Sequence, residues 1–152
     1  MKRHLIGVGG VGMSALATVL IREGFRVSGS DRNLNTPNIA FLKSIGVEIF
    51  PDDGSGVDDD VEEVVFSTAI ESDNPGLVKA RSLGIRLTHR AQALASALSS
   101  RKLIAVVGTA GKSTVTAMLG KASFLKRRMA WSIRLRSPIL PVIFMMAFSS
   151  TQ

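Results

Sequence analysis

The stretch "HLIGVGGVGMSALA", residues 4–17, decides how the rest of the chain is read. It begins as a short apolar run ending in glycine, as a buried parallel strand does. It continues with Met13, Leu16, Val19 and Leu20 at helical spacing, up to Gly24, which suits a left-handed C-terminal cap. Between strand and helix lies Gly7-x-Gly9-x-x-Gly12. Side chains at such a turn would keep a pyrophosphate away from the helix N-terminus, where free N–H groups and the dipole favour anions. Asp31 ends the next strand, 19 residues after Gly12, close to the spacing at which an acid takes ribose hydroxyls. A nucleotide-type ligand is expected here. The competing reading is a glycine-rich turn that serves only close helix–strand packing.

Working outward, strands and helices alternate. "FRVSGSD" (25–31) reads as a second strand, and "TPNIAFLKSIG" (36–46) as a helix with Thr36 as N-cap, Pro37 at its first position and Gly46 past its end. "VEIF" (47–50) is a third strand, and "EVVFSTAI" (63–70) a fourth, after the acidic loop "DDGSGVDDD". "DNPGLVKARSLG" (73–84) repeats the cap, proline and glycine punctuation around a helix. "IRLTH" (85–89) is a fifth strand, and "RAQALASALSS" (90–100) a helix with Leu94 and Leu98 on one face. Alternation at this pitch predicts an α/β fold, a Rossmann-like doubly wound parallel sheet, over residues 1–100.

"LIAVVG" (103–108) opens a new strand–loop–helix unit whose loop, "GTAGKST" (108–114), reads as a shortened phosphate loop. The longer pattern wants glycine five residues before Gly111, where this chain has Val106. Lys112 supplies charge for terminal phosphates and Ser113 a hydroxyl for Mg²⁺. The alternative is a polar turn ahead of an ordinary helix.

Charge divides the chain. Residues 1–73 carry all 12 acidic residues and a net charge of −6, whereas residues 74–152 hold 13 Lys and Arg with no acid. None of the 14 glycines lies beyond Gly120. After Ala122 the alternation fails, so residues 123–152 are expected to be an irregular, disordered basic tail. Its apolar run "ILPVIFMMAF" is about half the roughly 20 residues that span a bilayer. With the basic residues upstream it could lie on an anionic membrane surface, and the basic half as a whole could bind nucleic acid.

Other signals exclude chemistry. There is no cysteine, hence no disulfide or thiolate metal site. The basic start "MKRHLIGVGG" breaks into glycines too early for a signal peptide, which favours a cytoplasmic strand. His4 and His89 lack metal-ligand spacing and read as strand-end or solvated histidines. The acidic run at 58–63 reads as a solvated loop.

"HLIGVGGVGMSALA", "VSGSD", "STAIESDNP", "THRAQALA" and "VVGTAGKST" stand in the order and spacing of the Mur ligases of peptidoglycan synthesis. The chain resembles that family from residue 3 to about 120, most closely its alanine-adding members. The resemblance implies that the first domain holds a UDP-sugar, UDP-N-acetylmuramate, and not NAD. Gly9, Gly10, Val11, Gly12, Met13 and Ser14 would face the diphosphate and Asp31 the uridine. Thr68 and Ala69 would line the same cleft. Residues 101–122 would begin the central ATP-binding domain, with Gly108, Thr109, Ala110, Gly111, Lys112, Ser113 and Thr114 holding ATP and Ser113 its Mg²⁺. In the family, ATP phosphorylates the substrate carboxylate and an amino acid's amine displaces the phosphate.

Two substitutions depart from the pattern. Ala110 stands where the alanine-adding members usually carry histidine, and Gln92 where "RAE" has glutamate. The family's Mg²⁺-binding glutamate and histidine, its carbamylated lysine and its amino-acid-binding third domain have no counterpart in these residues. The expectation is therefore a truncated or frameshifted ligase, inactive alone. A dinucleotide-binding oxidoreductase fragment and a basic nucleic-acid or membrane-surface protein are the alternatives.

Overall fold

A computed structural model describes residues 1–99, 103–106, 110–129 and 142–145. They form two compact units, Met1–Ala97 and Leu98–Gln152.

The first unit is a five-stranded sheet in the order β3-β2-β1-β4-β5. Its elements are β1 (Lys2–Ile6), α1 (Val11–Arg22), β2 (Arg26–Asp31), α2 (Pro37–Ser44), β3 (Glu48–Pro51), β4 (Val61–Phe66), α3 (Pro75–Ser82), β5 (Arg86–His89) and α4 (Arg90–Ala97). Every pairing is parallel, with Ile6 opposite Ser30, Asp31 opposite Pro51 and Phe66 opposite His89. The doubly wound α/β sheet expected from the alternation is therefore present. The chain steps outward from β1 through β2 to β3, then returns to the other side of β1 with β4. That reversal makes the gap beyond the C-terminal ends of β1 and β4 the switch point, where such sheets bind ligands.

Helix boundaries follow local chemistry. Thr36 caps α2 by accepting a hydrogen bond from the Ile39 N–H at 3.3 Å, and Asn74 caps α3 through the Gly76 and Leu77 N–H groups, with proline at the first position of both helices. Such caps contribute about 1 kcal/mol each. Beneath one face of the sheet Ile6, Val57, Val61, Val64, Leu77 and Ala80 form a buried cluster against α3. Leu5 alternates to the opposite face, and α1 buries Met13, Leu16, Ala17 and Leu20.

Several expectations are corrected. β4 begins at Val61, which pairs with Lys2, and ends at Phe66. "STAI" is no strand: the Ile70 N–H turns back on the Ser67 carbonyl at 3.1 Å, because pairing with β5 ends at Phe66 and His89. The run at 58–63 is only partly a solvated loop. Asp60 holds Lys2 at 2.9 Å, and Glu63 is buried in β4 beside Arg3.

β1 is wholly buried although it opens with three basic residues. Each has a counterpart. Arg3 Nε lies 2.7 Å from Glu63 Oε2, an ion pair rather than an aligned hydrogen bond, and its guanidinium covers the Phe25 ring. His4, expected at a strand end or in solvent, is 1% exposed, with ring nitrogens 3.0 Å and 3.2 Å from the Ser28 and Ser30 hydroxyls. Burial, and secondarily the charge of Lys2, lowers its pKa to about 4. His89 does end its strand, as expected.

The second unit contains β6 (Leu103–Val106), α5 (Lys112–Met129) and β7 (Val142–Met145). β6 and β7 pair in parallel, Leu103 opposite Val142 through Val106 opposite Met145, so strand, helix and strand make a βαβ unit. This corrects the expected lone strand and helix. α5 also passes the expected limit at 122 by seven residues. Between Gly120 and Pro138 there is neither glycine nor proline to stop a helix. The rest of the expected disordered tail lies outside the described residues. Among those described, no helix is long and apolar enough to cross a membrane.

Candidate functional site

The turn from β1 into α1 is held from three sides. The Gly7 and Val8 N–H groups both donate to the Ser30 carbonyl at 2.8 and 3.0 Å, binding the turn to the end of β2. Gly7 has φ +73°, a left-handed conformation that L side chains resist, and its carbonyl accepts from the Gly10 N–H at 3.1 Å. Asp31 Oδ2 accepts from the Gly9 N–H at 2.8 Å, while Asp31 Oδ1 accepts from the Asn33 N–H at 2.9 Å. From α2, Asn38 Nδ2 donates to the Gly9 carbonyl at 2.8 Å. The Gly9 peptide is thus fixed at both ends by side chains from neighbouring elements.

This clamp decides which donors remain. The Gly9 and Gly10 N–H groups are engaged internally. Val11, Gly12 and Met13 occupy the first helical turn, whose N–H groups have no acceptor within the helix, and Gly10 at the N-cap supplies no side chain to cap them. Three adjacent donors at the positive end of a 12-residue helix face the switch point. The turn thus leaves the N–H groups of Val11, Gly12 and Met13 at the cleft, fewer than the six residues expected to face a diphosphate.

The cleft above this turn has a volume of about 520 Å³. Of the expected residues, Gly9, Gly10, Val11, Gly12, Met13, Asp31 and Ala69 line it. Ser14 and Thr68 do not. Ser14 turns its hydroxyl back to the Val11 carbonyl at 3.1 Å, and Thr68 is exposed on the Ser67–Ile70 turn. The lining residues beyond the expected set are Gly7, Thr36, Ser67, Ile70 and Arg90. Their signal was positional: each lies in the segment that follows the C-terminal end of a parallel strand, on the ligand-binding edge of such a sheet. The Asp31 carboxylate spends one acceptor site per oxygen on backbone N–H groups. Further lone pairs remain for a ligand hydroxyl.

The second glycine loop is described only in part. Gly111 has φ +76°, and the Val115 N–H donates to its carbonyl at 3.0 Å as α5 begins at Lys112. Ala110, Gly111 and Thr114 are exposed. Gly108, Thr109 and the side chain of Ser113 lie outside the described residues. A left-handed glycine leading into a helix N-terminus fits a phosphate. Among the described residues no cluster of His, Asp or Glu could hold a metal ion.

The "Mur ligase family, catalytic domain" profile matches residues 2–102. The chain belongs to the Mur ligase family. It is 46% identical over 116 residues to the UDP-N-acetylmuramate–L-alanine ligase of Salinispora arenicola, covering 76% of this chain and 22% of that protein. To the ligase of the same description from Bdellovibrio bacteriovorus it is 42% identical over 132 residues, covering 87% of this chain and 29% of that protein. The solved UDP-N-acetylmuramate–alanine ligase of Thermotoga maritima superposes with a TM-score of 0.74 at 35% identity, over 85% of this chain and 30% of its own. A murein peptide ligase from Psychrobacter arcticus gives 0.75 at 32% identity, over 85% and 27%. The chain thus spans about a quarter of the length of the curated relatives it matches.

Proposed function

We propose that the first unit binds UDP-N-acetylmuramate, the substrate named for its alanine-adding relatives, and that Gly108–Thr114 belongs to the ATP site of the same ligation. One observation carries this reading. At the switch point, a turn clamped by Asp31 and Asn38 directs the N–H groups of Val11, Gly12 and Met13 into a cleft of about 520 Å³. The helix end and backbone donors favour the diphosphate, the spare lone pairs of Asp31 a ribose or base, and the Ser67–Ile70 turn bounds the other wall.

In the relatives' reaction ATP, with Mg²⁺, activates the carboxylate that the amino acid then attacks. This chain's part is to hold the UDP end of the substrate and, through Lys112 and the start of α5, to contact phosphates. We read these residues as the UDP-sugar-binding part of such a ligase, acting where UDP-sugars and ATP occur, in the cytoplasm. Among the described residues, two paired strands and one helix are a marginal frame for a phosphate loop. ATP affinity weaker than about 1 mM is expected, corresponding to less than about 4 kcal/mol.

Calorimetric titration of the 152-residue chain with UDP-N-acetylmuramate and with NAD tests the reading. Tighter binding of the UDP-sugar is expected. Tighter binding of NAD would replace it with a dinucleotide-binding function. Alanine-dependent phosphate release above that of Lys112→Ala would show that the chain ligates on its own.

A further inference from the structure

Arg90 is the first residue of α4 and follows β5 with no intervening loop, which brings it out on the same edge of the sheet as the glycine turn. Its guanidinium lies against Gly12: a Cβ built on Gly12 would overlap Arg90 Nη1 and stand 3.1 Å from Cζ. Both residues line the cleft. Lys2, Arg3, Arg32 and Arg86 each have a carboxylate within 4.0 Å; among the described residues Arg90 has none, nor do Arg22, Arg26, Lys43, Lys79 and Arg81, but of these Arg90 is the one that lines the cleft. Asp31, the carboxylate lining the cleft, has both oxygens on the N–H groups of Gly9 and Asn33. A permanent cation therefore rests beside the positive end of α1 without a protein counter-charge, an arrangement that an anion between them would relieve.

We propose that Arg90 binds the diphosphate of the nucleotide-sugar, and that Gly12 lacks a side chain so that this guanidinium can lie over the first turn of α1. The proposal rests on the reading of the cleft as a UDP-sugar site and adds a residue from a different part of the sheet. The planar fork of arginine suits two phosphate oxygens at once, while the N–H groups of Val11, Gly12 and Met13 approach from the helix side. Gly12 has no positive φ that would demand glycine. What an alanine methyl would meet there is the movable end of Arg90, so Gly12→Ala displaces the guanidinium rather than the backbone. A glycine bare only for phosphate approach would make its substitution costly whatever stood at position 90.

The test is titration of the full 152-residue chain with UDP-N-acetylmuramate, UDP and uridine, alongside thermal melts of the unliganded proteins. Arg90→Ala is expected to weaken UDP and the UDP-sugar about tenfold to hundredfold, the loss of a charge-assisted contact. Uridine binding and the melt should stay as in the wild type, which a merely structural role would not allow. Gly12→Ala should weaken UDP to a similar degree, and the double variant should bind within about threefold of the weaker single one, since both remove the same contact. Arg90→Lys should recover part of the loss. Wild-type UDP affinity in Arg90→Ala, or singles whose effects multiply in the double variant, would overturn the proposal while leaving the UDP-sugar reading intact. Failure of the wild type to bind UDP-N-acetylmuramate would overturn both.

Discussion

The chain twice runs from a strand through a glycine turn into a helix, at β1–α1 and at β6–α5, and the two turns have different support. The first belongs to a five-stranded sheet, and residues distant in sequence hold it: Ser30, Asp31 and Asn38 fix its backbone, and Arg90 lies across its helix. The second belongs, among the described residues, to a two-stranded sheet. A glycine pattern specifies where the backbone can approach a phosphate. It becomes a site when other strands fix the peptide planes and leave selected N–H groups unpaired.

That contrast can be broken most directly in the cores. Ile6 is fully buried under α3, whereas Met118 on α5 is 65% exposed. Ile6→Ala should cost about 2–5 kcal/mol in urea denaturation, and Met118→Ala less than about 0.5 kcal/mol. Comparable losses would mean that the second unit carries a core of similar weight.

Acid should separate the units next, because both histidines lie in the first. His4 has its pKa lowered from 6.5 to about 4, so the folded state holds the proton less tightly than the unfolded chain. The stability from its neutral ring is complete above about pH 6.5 and is lost as pH falls from there to about 4. The loss amounts to about 3 kcal/mol. Denaturation of His4→Gln and wild type at pH 7 and pH 4 measures it, since the variant should lack that part of the decline. Parallel declines would mean that carboxylates alone drive the acid sensitivity.

Asp31→Ala sharpens the comparison at the site itself. Removing a carboxylate that clamps the Gly9 N–H and offers lone pairs to the ligand should weaken UDP-N-acetylmuramate by about 1.5–3 kcal/mol. The domain should remain folded, with a modest loss of stability visible in its melt. Unchanged affinity in a folded variant would reduce Asp31 to a strand-end cap.

The smallest effect is expected from Lys112→Ala. UDP-sugar affinity and the stability of the first unit should change by less than about 0.5 kcal/mol. A larger drop, read by the same titration and melt, would show that the two units act on each other.

Much of the first unit was legible because its signals are local. Thr36-Pro37, Asn74-Pro75 and the glycines after α1, α2 and α3 mark boundaries through groups a few residues apart, and the apolar strands show directly as runs. Asp31 was visible from its spacing to Gly12. Legibility failed where partners are far apart in sequence. Nothing near His4 announces that Ser28 and Ser30 will receive its ring, or that Gly56 will leave room for it. Ser14 and Thr68 belong to the right segments, yet a turned hydroxyl and an outward turn keep them off the cleft. β7 was missed because a four-residue apolar run is too short to show a period of its own.

The sequence by itself determined the alternation of strands and helices in the first unit, the boundaries of α1 to α3, the glycine turn and the kinship with Mur ligases, since each depends on backbone preferences and spacing within short windows. Only the tertiary structure decided that basic β1 is buried, that the Gly9 N–H belongs to Asp31 and not to a ligand, and that Arg90 reaches Gly12 across β4. Those outcomes depend on which strand lies beside which. Burial, ion pairing and the direction of a free N–H are properties of neighbours in space, and they acquire values only once the sheet has assembled.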